Sequence, residues 1–153
     1  MTAVPALGDL APDFTLADTH GTPVTLSELR GAPVALVFIP FAFTGICTDE
    51  VCELRDNVSA FADAGVTLYV VSCDPSPAQR AWAEQEQLPF DLLSDFWPHG
   101  DVARAYGAFD EKAGRALRGS FLLDAAGTVV WSVVNPAGQA RDIVGYREAL
   151  ARL

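Results

Sequence analysis

The stretch Pro33-Val34-Ala35-Leu36-Val37-Phe38-Ile39-Pro40-Phe41-Ala42-Phe43-Thr44-Gly45-Ile46-Cys47-Thr48-Asp49-Glu50-Val51-Cys52 decides the fold of this chain. Residues 34–39 are continuously apolar between two prolines, the pattern of a central strand buried on both faces. From Cys47 onward the pattern changes. Cys47, Val51, Leu54, Val58 and Phe61 recur at spacings of four and three, which predicts one helix over 46–63 with these residues on a single stripe. A second buried strand is predicted at 66–72.

Working outward, residues 13–26 read as a small hairpin around Asp18-Thr19-His20-Gly21, and 27–31 as a helical turn stopped by Gly31. Helices are predicted at 75–87 and 100–106, with a short strand at 90–93 between them. Residues 121–124 and 128–133, joined through Ala125-Ala126-Gly127, form an expected antiparallel hairpin, and 140–153 an amphipathic closing helix. Strands alternating with helices make this an α/β chain.

At 153 residues, half of them hydrophobic and with no linker, the chain is expected to be a single domain over 1–153. Its formal net charge of −10 repels phosphate backbones and anionic lipid surfaces, which argues against nucleic-acid and membrane-surface partners. No segment approaches the roughly 18 uninterrupted apolar residues of a membrane span. Met1-Thr2-Ala3-Val4-Pro5 has neither the basic nor the apolar part of an export signal. Three cysteines are an odd count for a secreted disulfide framework and fit a reducing, cytoplasmic setting.

Chemistry is therefore expected on the cysteines. Cys47 falls in the first turn of a helix, where unpaired backbone N–H groups and the positive end of the dipole favour a thiolate. Thr44, three residues earlier, can offer a hydroxyl to an incoming oxygen, and Pro40 can shield the pocket from water. Against this, Asp49 and Glu50 place two negative charges in the same turn, which raises a thiol's pKa, so a cation from elsewhere is required. Arg118, just before a predicted strand, is the candidate. The bland alternatives stand beside these: Cys47 as a small buried hydrophobe, Arg118 as a solvated charge, Pro40 as a strand stop.

Pro40-x-x-x-Thr44-x-x-Cys47 resembles the active-site motif of the peroxiredoxins. Ala11-Pro12-Asp13-Phe14-Thr15-Leu16 is similar to that family's N-terminal hairpin, and Arg118-Gly119-Ser120-Phe121-Leu122-Leu123-Asp124 to its arginine-bearing strand. Within the family, 41–47 and 92–100 look most like the actinobacterial alkyl hydroperoxide reductase E group, usually described as one-cysteine. The resemblance implies a thioredoxin-like fold, a mixed central sheet flanked by helices with an N-terminal β-hairpin. It implies that Cys47 is the peroxidatic thiolate, that Thr44 and Arg118 bind the peroxide oxygens, that Pro40 covers the sulfur and that Glu50 orients Arg118. No metal, haem or flavin is implied.

Cys52 departs from the one-cysteine pattern. It lies five residues after Cys47, the spacing of the resolving cysteine in the bacterioferritin comigratory protein group. Five residues on a helix separate two positions by roughly 7.5 Å along the axis and about 140° around it, too far for a disulfide, so resolution predicts that 45–52 unwinds on oxidation. A half-exposed cysteine with no role is the alternative. Cys73 reads as a strand-end core residue.

Other classes fit less well. There is no Cys-x-x-Cys for a disulfide reductase, and three cysteines with isolated His20 and His99 lack paired zinc-ligand spacing. A redox-sensing protein oxidised slowly at Cys47 is the second reading. The resemblance further implies a homodimer through 41–43 and 94–99. A thioredoxin would reduce an intramolecular disulfide; a low-molecular-weight thiol with a glutaredoxin-like or mycoredoxin-like partner would reduce an unresolved sulfenate.

Overall fold

The structure is a computed structural model and describes residues 3–153; Met1 and Thr2, which open the stretch read for an export signal, lie outside the described residues. The strands are β1 (Thr15–Ala17), β2 (Pro23–Thr25), β3 (Val34–Phe38), β4 (Thr67–Ser72), β5 (Asp91–Ser94), β6 (Phe109–Asp110), β7 (Arg115–Ala116), β8 (Arg118–Leu123) and β9 (Val129–Asn135). Among the described residues, seven of these form one sheet in the order β2-β1-β5-β4-β3-β8-β9, and β6 with β7 makes a separate small ladder. β3 runs parallel to β4 and antiparallel to β8, so the sheet is mixed.

Every residue of β3 is buried, because both faces of the sheet are covered. Val34, Leu36 and Phe38 point into one apolar cluster, which also holds Leu16, Tyr106 and Phe121. Ala35, Val37 and Ile39 point into the other, with Cys47, Val51, Leu54, Phe61, Trp82 and Tyr146. The period of two along a strand makes this division, and it explains why the run tolerates no polar residue. Truncating fully buried Leu36 to Ala would cost about 2–5 kcal/mol.

The helix expected over 46–63 is two helices, α1 (Gly45–Asp56) and α2 (Val58–Asp63). Asn57 breaks it. Its side-chain Nδ2 donates to the Glu53 carbonyl at 2.8 Å, competing with the ladder, and Arg147 of the closing helix holds its Oδ1. The apolar stripe largely survives: Cys47, Val51, Leu54 and Phe61 are buried, with Val58 half-buried at the break.

α3 (Ser76–Glu86) and α4 (Asp101–Ala105) lie within the predicted ranges. The closing helix α5 (Ile143–Leu150) is shorter than expected. Asp142 caps it by accepting from the Val144 N–H at 2.9 Å, which leaves Arg141 outside the helix. β8 starts three residues earlier than expected because its ladder with β9 continues to Arg118↔Asn135. The β6–β7 ladder was not anticipated, since each strand has only two residues and neither carries an alternation.

Candidate active site

The strand that the sequence places at the centre of the sheet delivers the site. Pro40 follows β3 after one residue, Ile39, and is buried. The chain then turns through Phe43, whose φ of 65° is a left-handed conformation that costs a non-glycine residue about 1–3 kcal/mol. Asp74 holds the turn in place: its Oδ2 accepts the Ala42 N–H at 2.8 Å and the Ser72 hydroxyl at 2.7 Å. Such strain persists only where surrounding structure over-determines it.

Thr44 is the N-cap of α1, and the first intrahelical bond runs from the Thr48 N–H to the Thr44 carbonyl at 2.9 Å. Gly45, Ile46 and Cys47 therefore have N–H groups without an intrahelical partner. The Thr44 hydroxyl is used differently from expectation. It donates to the Phe41 carbonyl at 2.9 Å, so its proton is engaged and its lone pairs remain as acceptors.

Cys47 is fully buried, and Arg118 reaches it across the sheet. Arg118 Nη1 donates to Cys47 Sγ at 3.3 Å and to Glu50 Oε1 at 2.6 Å, while its Nε donates to the Ala137 carbonyl at 2.6 Å. With 3 % of its surface exposed, Arg118 is not a solvated charge. It is the first residue of β8, and the order β3-β8 brings it alongside the start of α1.

The carboxylate charge feared from the sequence is resolved by separation. Asp49 is exposed, whereas Glu50 is buried between two guanidinium groups. The second belongs to Arg141, which sequence reasoning missed. Arg141 gives Glu50 its backbone N–H at 2.7 Å, its Nε at 3.0 Å and its Nη2 at 2.8 Å. Its Nη1 donates to the carbonyls of Phe38 and Gly119 and to the Ser120 hydroxyl. Burial pushes the Glu50 carboxyl up, but hydrogen bonds and charge from Arg141, with the charge of Arg118, outweigh it and hold Glu50 below its ordinary value. The one available signal for Arg141 was its place beside the Asp142 cap, in the loop after β9.

Cys52 lies on the same unbroken α1 but faces elsewhere. It is half-buried, and its thiol donates to Glu86 Oε2 of α3 at 3.4 Å. Burial first, then the hydrogen bond to Glu86, raise its pKa. All three cysteines are free thiols. Cys73 is 2 % exposed, and burial pushes its thiol up to about 12, as a core cysteine would be.

A cleft of about 380 Å³ opens above this cluster, lined by Pro40, Thr44, Gly45, Ile46, Arg115, Arg118, Ala137 and Gly138. The fold thus brings Pro40, Thr44 and Arg118 to one opening, with Cys47 and Glu50 behind Arg118; Cys52 is not part of it. No group of histidine, cysteine and carboxylate side chains suited to a metal ion occurs among the described residues.

Comparison with known proteins places the chain in a family. Residues 7–132 match the model of the AhpC/TSA family. The chain is 45 % identical over 148 residues to alkyl hydroperoxide reductase E of Mycobacterium tuberculosis, covering 96 % of this chain and 97 % of that protein. It is 38 % identical over 128 residues to peroxiredoxin Bcp of Escherichia coli K12, covering 80 % and 81 %. The crystal structure of peroxidoxin BcpB from Mycobacterium tuberculosis superposes with a TM-score of 0.82 at 32 % identity, over 96 % of this chain and 95 % of that one, and shares the thioredoxin-like architecture. The chain belongs to the AhpC/TSA family and is a peroxiredoxin, a thiol-dependent peroxidase.

Proposed function

We propose that the protein reduces hydroperoxides through Cys47, with Arg118, Thr44, Pro40 and Glu50 as the groups that make it reactive. The observation that carries this is the 3.3 Å hydrogen bond from Arg118 Nη1 to Cys47 Sγ, on a guanidinium braced by Glu50 and the Ala137 carbonyl. The thiolate attacks the terminal oxygen of R–O–OH; an S–O bond forms, the O–O bond breaks, and sulfur gives up two electrons. The alkoxide leaves and takes a proton, so Cys47 becomes a sulfenic acid and the peroxide an alcohol or water. Arg118 donates to the oxygen on which charge develops. Thr44, its own proton engaged by Phe41, accepts from the peroxide O–H and lines up the O–O bond with sulfur. Pro40 closes the side next to β3 against water. Glu50 acts through Arg118 as a positioning residue.

Cys52 completes the cycle as the resolving thiol. In the folded helix it is turned toward Glu86, so a disulfide with Cys47 requires the first turns of α1 to unwind. Membership of this family supports a peroxide substrate, a thioredoxin-like reductant and a dimer. Here a thioredoxin would suit a Cys47–Cys52 disulfide, and a low-molecular-weight thiol with a glutaredoxin-like or mycoredoxin-like protein would suit an unresolved sulfenate. Exposed Phe43, Ile46, Phe96 and Trp97, the last 81 % exposed, support a homodimer on the face beside the cleft. An odd count of three cysteines supports a cytoplasmic setting.

Intact mass with thiol counting after one equivalent of hydrogen peroxide tests the reading. A loss of about 2 Da with two thiols consumed, and a gain of about 16 Da in Cys52→Ser, is the expected result. A gain of about 16 Da in the unaltered protein would overturn the resolving role alone. No reaction in either protein would overturn the peroxidase.

A further inference from the structure

Hydrogen peroxide needs neither the size nor the second cation of this cleft. A volume of about 380 Å³ lies within the roughly 300–1,000 Å³ range of small-molecule pockets, whereas one water occupies only about 30 Å³ of liquid. Its lining contains two arginines and no acidic residue, in a chain of net charge −10. Arg118 is committed to Cys47, Glu50 and Ala137, and Glu50 is shared with Arg141. Arg115 is committed to nothing of the kind. It forms no ion pair among the described residues, and its Nε is buried without a hydrogen-bond partner.

A buried guanidinium N–H left unpaired is costly, and Arg115 has no catalytic duty at sulfur to account for it. The β6–β7 ladder, with Arg115 paired to Asp110, holds its backbone at the rim of the cleft. We propose that Arg115 is a specificity residue that binds the carboxylate of an acid hydroperoxide while Arg118 meets its O–O bond. The cleft volume of about 380 Å³ limits the ligand to a compact acid that fits between the two arginines. A planar fork of donors matches a carboxylate in two-point contact.

This inference rests on the peroxidase reading and deepens it, and the test separates the two. Single-turnover oxidation of Cys47 is followed by stopped-flow fluorescence with a short carboxylate-bearing hydroperoxide, with its methyl ester, and with hydrogen peroxide as the reference rate for each protein. Unaltered protein is expected to favour the acid over the ester roughly tenfold, the scale of one charge-assisted hydrogen bond, with the preference falling as salt rises. Arg115→Gln should bring the acid-to-ester ratio to about one, and Arg115→Lys should keep part of the preference. An equal ratio in unaltered protein and Arg115→Gln would overturn the assignment. So would an unaltered ratio combined with slower reduction of the sulfenate by an anionic thiol, which would move the bound anion from the peroxide to the reductant. Failure of the unaltered protein to react with hydrogen peroxide would instead overturn the peroxidase reading itself.

Discussion

Cys47 and Cys52 share one helix and differ in almost everything that sets the chemistry of a thiol. Cys47 is fully buried on the core stripe of α1, with a guanidinium donating to its sulfur. Cys52 is half-buried on the flank, donating its proton to a carboxylate that helps raise its pKa. A sulfur that accepts from a cation is poised to attack; one that donates to an anion is held as a thiol. The helix lends both the same backbone, so the difference comes from the elements packed against each face: β8 and the loop after β9 on one side, α3 on the other.

The contrast breaks most severely at Arg118. Arg118→Met removes the donor from the sulfur and from the transition state, and should slow oxidation of Cys47 by about 100- to 1,000-fold, read by stopped flow with hydrogen peroxide. Unchanged rates would show that the guanidinium contact is only structural.

Next comes Glu50, the anion that holds two buried cations together. Glu50→Gln leaves Arg118 and Arg141 without their counter-charge and should destabilise the fold by about 3–5 kcal/mol, read by urea unfolding at neutral pH. The pH dependence has a definite sign. Because the folded Glu50 lies below its ordinary value, its contribution is present above that ordinary value and is lost as the pH falls through the lower folded one. The gap between the unaltered protein and Glu50→Gln should narrow in that acidic window; a gap independent of pH would contradict the ion cluster.

Amide exchange sharpens the comparison at the level of the helix. Residues 45–52 should exchange faster in the oxidised than in the reduced protein, because disulfide geometry cannot be met across five residues of intact helix. Identical exchange in the two states would leave Cys52 without a resolving role.

The smallest effect is expected at Glu86. In a Cys47→Ser background, Glu86→Gln removes the charge facing Cys52 and should move its alkylation profile to lower pH, with a rise in rate of roughly twofold near neutrality, the scale of a partly exposed charge interaction. An unchanged profile would mean that burial alone sets the reactivity of Cys52.

Local pattern made much of this readable. The apolar run 34–39 between prolines marks β3 to within one residue, and the spacing from Cys47 to Phe61 marks the buried stripe of α1 and α2. The break at Asn57 was not legible, because an asparagine competing for a carbonyl depends on the Arg147 side chain that holds it from another helix. Arg115 was equally hidden: its ladder has two residues on each strand, too few for any periodicity.

What the sequence determined by itself was short-range: which segments form strands and helices, that a thiol begins a helix after a buried strand, and that two carboxylates stand beside it. Only the tertiary structure decided what those carboxylates do. Arg118 meets Glu50 across 68 positions of chain and Arg141 meets it across 91, through a sheet order that places β8 beside β3. A charge next to a thiol reads as a penalty when its partners are far away in the chain; it becomes the anchor of the site once packing brings two guanidinium groups onto it and turns Asp49 out to water.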